Sequence, residues 1–535
     1  MVTRKIDIKV ASFKFSRFKN LLILILLTGL ILFACAREKK PLPLDKQILA
    51  KVGKRVITAS EFKYSFEFSF APLRRGESQR RTYLDYMIKE LLLANEGYRL
   101  GYHKNRYVTS RVAHRRRNDL LEAFYLKHVH GKVKVPEDAL QEAIKKGSVK
   151  WRMIIWPTAS LKQAHEALIE ASQSNLEDFI EKKIARQEVP LKEKKFYETD
   201  WVDFLDLQPE VLDKIKDLEV GKVSDPIPYG TGYALAQILE INLEGVKTDE
   251  LKAGARRKKM YERLHDIQAE QIAHHLMDSL ITPLDVRVKG HVVDQLAYPL
   301  YQWIKDGLPE NKTLVEVIRE APDTAKSYFG ELKKLLNLPL LTNKEDEKTV
   351  ADYLHYMSYY RKALNQPMPY ENFKERLITE IGTMFKNETF TAVAEKEGFA
   401  DSAFILNDLR IWEQKWTYDV CRNELVKDLT VSDQEMTDFF THRWRELPIA
   451  NVDTTRFYKY ENSIYNFLLH EKQTAQLEKK LASLRKRYPV WINEKLLVEM
   501  ELSDGGKTLQ TSFFLRKNFT GEAVVPIVDM KWIHF

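Results

Sequence analysis

One stretch of this 535-residue chain constrains its fold more than any other. From Val149 to Ile241 the pattern runs strand, helix, helix, irregular segment, short helix, strand. Val149-Lys-Trp-Arg-Met-Ile-Ile-Trp156 is an apolar-rich strand closed by Pro157. Ser160-Leu-Lys-Gln163 has capping-box spacing, and Leu161, Ala164, Leu168 and Ala171 follow at helical intervals. A second helix covers Leu176 to Ala185, and a short one covers Pro209 to Asp217, after Glu198-Thr-Asp-Trp-Val-Asp-Phe204. Gly221-Lys-Val-Ser-Asp-Pro-Ile-Pro228 then leads into a closing strand, Gly232-Tyr-Ala-Leu-Ala-Gln-Ile-Leu239.

The amino terminus reads as a targeting segment. Six cationic side chains (Arg4, Lys5, Lys9, Lys14, Arg17, Lys19) stand against Asp7, a surplus of five out of a formal net charge of +9. The remainder, spread over so long a chain, is too small to imply a polyanionic partner, and no nucleic acid is expected. Leu21 to Ala34 has the length of a secretory apolar region and is short for a membrane span. It ends Leu32-Phe-Ala-Cys35, which resembles the bacterial lipoprotein cleavage box. That resemblance implies lipidation of Cys35 and a membrane anchor, with an uncleaved anchor or an ordinary signal peptide as the alternatives. Ala36 fits outer-membrane delivery, so a lipid-anchored, periplasm-facing location is expected, with the outer membrane favoured. The other cysteine, Cys421, falls in a helical pattern and reads as a small buried apolar residue.

The Gly221-x-Val-Ser-Asp-Pro226 run ahead of the Gly232-Tyr233 pair resembles a parvulin-type (rotamase) peptidyl-prolyl isomerase domain over about ninety residues. The resemblance implies a proline-binding face at Met153, Leu207, Val211, Tyr229, Tyr233 and Ala234. Parvulins carry a histidine where this chain has Met153 and a second where it has Ala234. The socket stays apolar, through Leu207 and Val211, and the polar cluster is replaced. No catalytic residue is assigned, and neither cofactor nor metal is expected.

Upstream, Ile48-Leu-Ala-Lys-Val-Gly-Lys-Arg-Val-Ile-Thr58 forms two short strands about Gly53, and Ser60-Glu-Phe62 opens a helix. This order resembles the start of SurA- and PrsA-type chaperones. Tyr83 to Gly97 is an amphipathic helix with Gly97 as its C-cap, and further helices run through Leu120 to Leu126 and from Pro136 to Gly147. A long charged helix, Asp249 to Leu280, precedes a strand at Val286-Arg-Val288. The expected class is therefore α+β and mainly helical. After the signal (1–35) and a tether (36–46), a SurA-N-like helical chaperone domain (47–148 plus 242–290) receives the parvulin-like α/β domain (149–241). A helical connector (291–345), a second helical repeat (346–495) and a β-hairpin tail (496–535) follow. The repeat rests on three echoes: Glu397-Gly-Phe399 with Glu96-Gly-Tyr98, Val431-Ser-Asp-Gln-Glu-Met436 with Val135 to Leu140, and Leu481–Ile492 with Leu280–Val288.

Other clusters read as ordinary surface. Arg111-Val-Ala-His-Arg-Arg-Arg117 reads as a solvated helix face. Glu262-x-x-His265 lacks the companion glutamates and second copy a carboxylate metal site needs, adjacent His274-His275 point to different helix faces, and His128 and His130 have strand spacing in helical sequence. The resemblance thus implies an envelope folding factor that binds unfolded or partly folded exported proteins, with weak or lost isomerase activity. An active isomerase and a scaffold lipoprotein are the alternatives.

Overall fold

The computed structural model describes residues 43–44, 46–74, 78–186, 195–243, 250–309, 312–360, 364–365, 367–502 and 525–533. Along the chain come β1 (Ile48–Val52), β2 (Arg55–Thr58), α1 (Ala59–Phe68), α2 (Gln79–Arg99), α3 (Arg106–His128) and α4 (Glu137–Lys146). The central stretch supplies β3 (Val149–Thr158), α5 (Leu161–Ala171), α6 (Leu176–Ala185), α7 (Pro209–Ile215), β4 (Ile227–Tyr229), β5 (Gly232–Leu243) and α8 (Glu250–Ile281). Then follow β6 (Arg287–Val288), α9 (Gly290–Asp306), α10 (Leu314–Glu320), α11 (Ser327–Leu335), β7 (Pro339–Thr342), β8 (Glu347–Thr349), α12 (Val350–Met357) and α13 (Tyr370–Lys396). The chain closes with α14 (Ala403–Val426), α15 (Asp433–His442), α16 (Glu461–Arg487), β9 (Val490–Ile492) and α17 (Glu494–Glu499). It is mainly helical with small antiparallel sheets. Two compact units divide it: residues 1–118 with 400–535, and residues 119–399.

In the first unit, β1 sits between β2 and β9, with Ala50 opposite Ile492 and Val52 opposite Val490. Gly53 makes the β1–β2 turn at φ +61°, a backbone conformation that glycine adopts without strain. Thr58 caps α1 through a reciprocal pair with Glu61. Phe62, Phe66, Tyr83, Leu84, Ile88 and Leu92 make a core with Tyr418, Cys421, Leu477, Leu481 and Leu484. The helix and strand that complete this sheet are thus α16 and β9. The expected partners, α8 and the strand near Val286, belong to the second unit, where β6 pairs with β7. Both candidates are amphipathic helices followed by a short apolar strand, so local pattern could not separate them; the fit of Val490 and Ile492 against β1 does.

Four further expectations are corrected. Gly97 lies inside α2 rather than capping it, and the left-handed residue is Gly101, at φ +81°. Gly97 is where α14 crosses α2: a Cβ there would stand 2.7 Å from Thr417 Cγ2 and 3.3 Å from Cys421 Cβ. The echo at Gly398 has no such role, since that residue follows α13 at φ +81°. Arg115, in the supposedly solvated basic run, is buried; its Nε donates to Asp408 at 2.6 Å and its guanidinium lies over the Trp412 ring. Leu497 to Leu502 does not open a hairpin: Asn493 accepts from Leu496 N–H and starts α17. Most of the remaining expected hairpin, 503–524, lies outside the described residues, as do Leu21–Ala34 and Cys35. Among the described residues no helix is long and apolar enough to cross a membrane.

The second unit holds the small α/β segment and a separate helical core. Residues 291–345 are not a connector: Val292, Leu296, Leu300, Trp303, Leu314 and Leu340 share one core with Tyr353, Phe373, Leu377 and Ile381. Beside the α/β segment, α4 packs on α8 through Leu140, Ala143 and Met260, tied by Arg257 on Glu137.

Candidate functional site

The α/β segment is a three-stranded sheet in the order β3–β5–β4, with β3 and β5 paired along Val149–Thr158. Along the free side of β3, Val202 N–H donates to Trp151 O at 3.0 Å and Thr199 N–H to Met153 O at 2.8 Å, forming an incipient further strand. Gly221 and Ser224 N–H groups donate to Ile238 and Ala236 carbonyls, both at 2.8 Å. The Gly-x-Val-Ser run therefore lines the β5 edge, and Gln237 Nε2 donates to Gly221 O at 2.7 Å. The two-residue β4–β5 turn, Gly230-Thr231, has Gly230 at φ +57°. Gly232 has no room for a side chain, since a Cβ would meet Thr158 O at 2.3 Å.

Strand alternation sorts the side chains. Ile154 and Leu235 face α5 and α6, packing with Ala167, Leu176, Phe179 and Ile180. Ser160 Oγ caps α5 by accepting from Gln163 N–H, while Gln163 accepts from Ala159 N–H. On the other face Trp151, Met153, Ala236 and Ile238 pack with Val211 and Ile215 of α7 and with Ile227. Leu207 and Tyr229 border this cluster, partly exposed. Four of the six residues expected on a proline-binding face, Met153, Leu207, Val211 and Tyr229, thus meet in one apolar cluster. Ala234 lies on the same face by its two-residue spacing from Ala236, opposite Ile227 and fully buried. Tyr233, by the same alternation, turns to the opposite face.

The chemistry of this face is apolar throughout. Met153 and Ala234 are 0% exposed and Val211 is 1% exposed, so protein atoms already surround these side chains. The hydroxyls at its edges are spent on backbone: Ser224 Oγ accepts from Ala236 N–H at 2.9 Å, and Thr199 Oγ1 from Met153 N–H at 3.2 Å. His165 is exposed on α5, the helix that covers the other face.

The first unit contains a second candidate, which sequence reasoning missed. A pocket of about 80 Å³ lies between α1, α2 and α14, and the segment Val525–Val528 forms part of its wall. Ser65 Oγ donates to Pro526 O at 3.0 Å, and Tyr83 Oη accepts from Val528 N–H at 3.3 Å. Glu90 accepts from Asp529 N–H at 2.7 Å while Lys415 donates to both its oxygens. Burial pushes the Glu90 carboxyl above its ordinary range against the pull of Lys415, and pushes the Tyr83 phenol up to about 12. This groove holds an irregular stretch of chain by its backbone. No periodicity in the sequence links Ser65, Glu90 and Pro526, so only tertiary contact reveals it.

The histidines separate. His130 stacks on His265 with ring centroids 5.3 Å apart, His128 Nε2 faces Glu397 at 2.9 Å, and His274 and His275 are exposed. Burial, with His265 beside it, lowers the His130 pKa. Among the described residues no group of three or more side chains is arranged to hold a metal.

No protein-family model and no curated protein matches the chain. Solved structures similar to it include the peptidylprolyl isomerase PrsA of Bacillus anthracis, at 13% identity over 37% of this chain and 96% of that one, TM-score 0.24. PrsA of Bacillus cereus matches at 20% identity over 42% and 89%, TM-score 0.22. A SurA-like chaperone of Campylobacter jejuni matches at 18% identity over 43% and 97%, TM-score 0.19.

Proposed function

We propose that this chain is an envelope folding factor of the SurA/PrsA type, which holds unfolded exported proteins and whose parvulin-like segment binds without turning over prolyl bonds. The observation that carries the second half is the burial of Met153 and Ala234, at 0% exposure, where the family has histidines. Prolyl isomerisation is opposed by amide resonance, a barrier of about 20 kcal/mol, which a protein lowers by favouring the twisted imide. An apolar socket alone can grip proline but supplies no polar surroundings that distinguish the twisted from the planar imide. Leu207 and Tyr229 remain partly exposed at its edge and could contact a bound chain. Holding unfolded chains needs adaptable apolar surface rather than placed chemistry. The backbone-held segment in the first unit supports the same reading, as an example of this protein gripping irregular chain. The apolar run before Cys35 and its cleavage-box resemblance support export and a lipid anchor.

The test uses residues 36–535. They should suppress aggregation of a chemically unfolded outer-membrane protein at near-stoichiometric ratio, yet leave the isomerisation rate of an Xaa-Pro peptide unchanged. Failure to suppress aggregation or to bind unfolded chain sinks the holding function. A rate acceleration reduced by Leu207→Ala or Val211→Ala would instead establish an isomerase working without the family's histidines.

A further inference from the structure

Near its carboxy-terminal end α14 carries a buried arginine, Arg422. Arg422 is 3% exposed, and its Nε is buried with no hydrogen-bond acceptor. Among the described residues no ion pair reaches its guanidinium. Burying a charge without a counter-charge is strongly disfavoured, and such a group calls for a physical explanation. The arginine is not needed to finish its helix. The Leu425 carbonyl accepts from Gln476 Nε2 at 3.0 Å, the Val426 carbonyl from Leu429 N–H at 3.2 Å, and the Thr430 carbonyl from Lys472 Nζ at 2.8 Å.

Arg422 lines a pocket of about 680 Å³ between the end of α14 and the middle of α16. Val426, Leu429, Tyr465 and Leu469 give it an apolar wall, Asn423, Thr430, Asn466 and Gln473 are its neutral polar groups, and His470, whose Nε2 lies 3.0 Å from Lys531 O, also lines it. The neighbouring lysines differ from it in being exposed. Lys427 donates to Glu424 at 2.7 Å, and Lys531 lies in the field of Asp419, whose carboxyl it helps hold down against burial. Arg422 is therefore the buried cation in the wall of an open pocket whose volume lies in the range that small organic ligands fill.

We propose that this pocket binds a monocarboxylate with an apolar body, the carboxylate paired with Arg422 and the apolar part against Tyr465 and Leu469. The planar guanidinium fork matches a carboxylate through two parallel hydrogen bonds. The free C-terminus of a peptide ending in an apolar residue and a small aliphatic acid share this chemistry. The site stands independently of the folding-factor reading, since it rests only on Arg422 and its pocket.

Calorimetric titration of residues 36–535 decides it, with four probes: a hexapeptide ending in free Leu, the same peptide amidated, octanoate, and inorganic phosphate. The free-acid peptide or octanoate binds saturably at one site, the amide at least tenfold more weakly, and phosphate does not compete. Preference for the peptide identifies a polypeptide terminus, and preference for octanoate a small acid. Arg422→Gln abolishes binding. Because that change could disturb α14, Leu469→Asp provides a second reading: at the partly exposed wall it sets a like charge against the ligand and weakens binding at least tenfold with the thermal transition retained. Equal binding of acid and amide, competition by phosphate as strong as by the acids, unchanged binding in Leu469→Asp, or no binding to the wild-type chain at millimolar probe overturns the proposal.

Discussion

Glu96 shows how much one residue can carry. It is 0% exposed and accepts from Arg99 at 2.8 and 2.9 Å, from Lys480 at 2.9 Å and from Arg487 at 3.1 Å. The Arg99 hydrogen bonds, opposed by burial and helped by Lys480, hold its carboxyl down at about 2. An unfolded glutamate titrates near about 4.3. Between those values the unfolded chain binds more protons, so the stabilisation is fully present above about pH 4.5 and is lost as pH falls towards 2. Removing one side of a buried charge cluster costs about 3–5 kcal/mol when the partners stay dry. Here the cations keep some contact with water, and Glu96→Gln should cost about 2–3 kcal/mol at pH 7. Hydrogen exchange of α2 amides reads this locally, as a chain of two units need not unfold in one step. A wild-type advantage that fails to shrink between pH 4.5 and pH 2 would place the residue's contribution elsewhere. In the sequence Glu96 was one of many charges on a helix, and its partners on α16 lie more than three hundred positions away.

At the level of elements, the crossing of α2 over α14 is the clearest case of packing overriding local preference. Alanine is the better helix former by about 1 kcal/mol, so Gly97→Ala would stabilise an isolated α2. In the protein the new Cβ meets Thr417 Cγ2 at 2.7 Å and the Thr417 carbonyl at 3.0 Å. Overpacking of this kind costs about 1–3 kcal/mol, so the substitution should lower the first unit's stability. Adding Thr417→Ser removes the closest methyl and should restore part of the loss, a coupling measurable by urea unfolding followed at α2. Additive effects of the two changes would refute the crossing as the cause. The α/β segment at residues 149–243 shows the opposite case. β3, β5, α5, α6 and α7 start where periodicity and capping residues put them, because period-two alternation and Ser160 are local signals, whereas β4 carries no such signal and β3 runs on through Pro157 to Thr158. The same alternation explains why Tyr233 leaves the face that Met153 and Ala234 share.

For the molecule as a whole, the two units differ in how local their cores are. Every buried residue of the core around Trp303 and Phe373 comes from Val292 to Phe385. The core around Phe62 and Tyr83 draws on both ends of the chain. Residues 282–399 expressed alone should therefore show a cooperative urea transition with ordered aromatic side chains by near-ultraviolet circular dichroism. Residues 47–118 alone should not, since they lack Tyr418, Cys421, Leu477, Leu481 and Leu484. An unstructured 282–399, or an ordered 47–118, would contradict this division.

By itself the sequence determined most local elements and the apolar residue types at Met153, Leu207, Val211 and Ala234. These follow from residue type and short-range period, which the backbone obeys without reference to distant chain. Tertiary structure alone decided that β9 rather than β6 completes the first sheet, that Gly97 is a contact and not a cap, and that Arg115 is buried on Asp408. It also decided that Arg422 is buried in the wall of a pocket. Each of these depends on which of several similar amphipathic surfaces meet. That choice is made by shape and charge compensation between residues hundreds of positions apart, for which a one-dimensional pattern carries no signal.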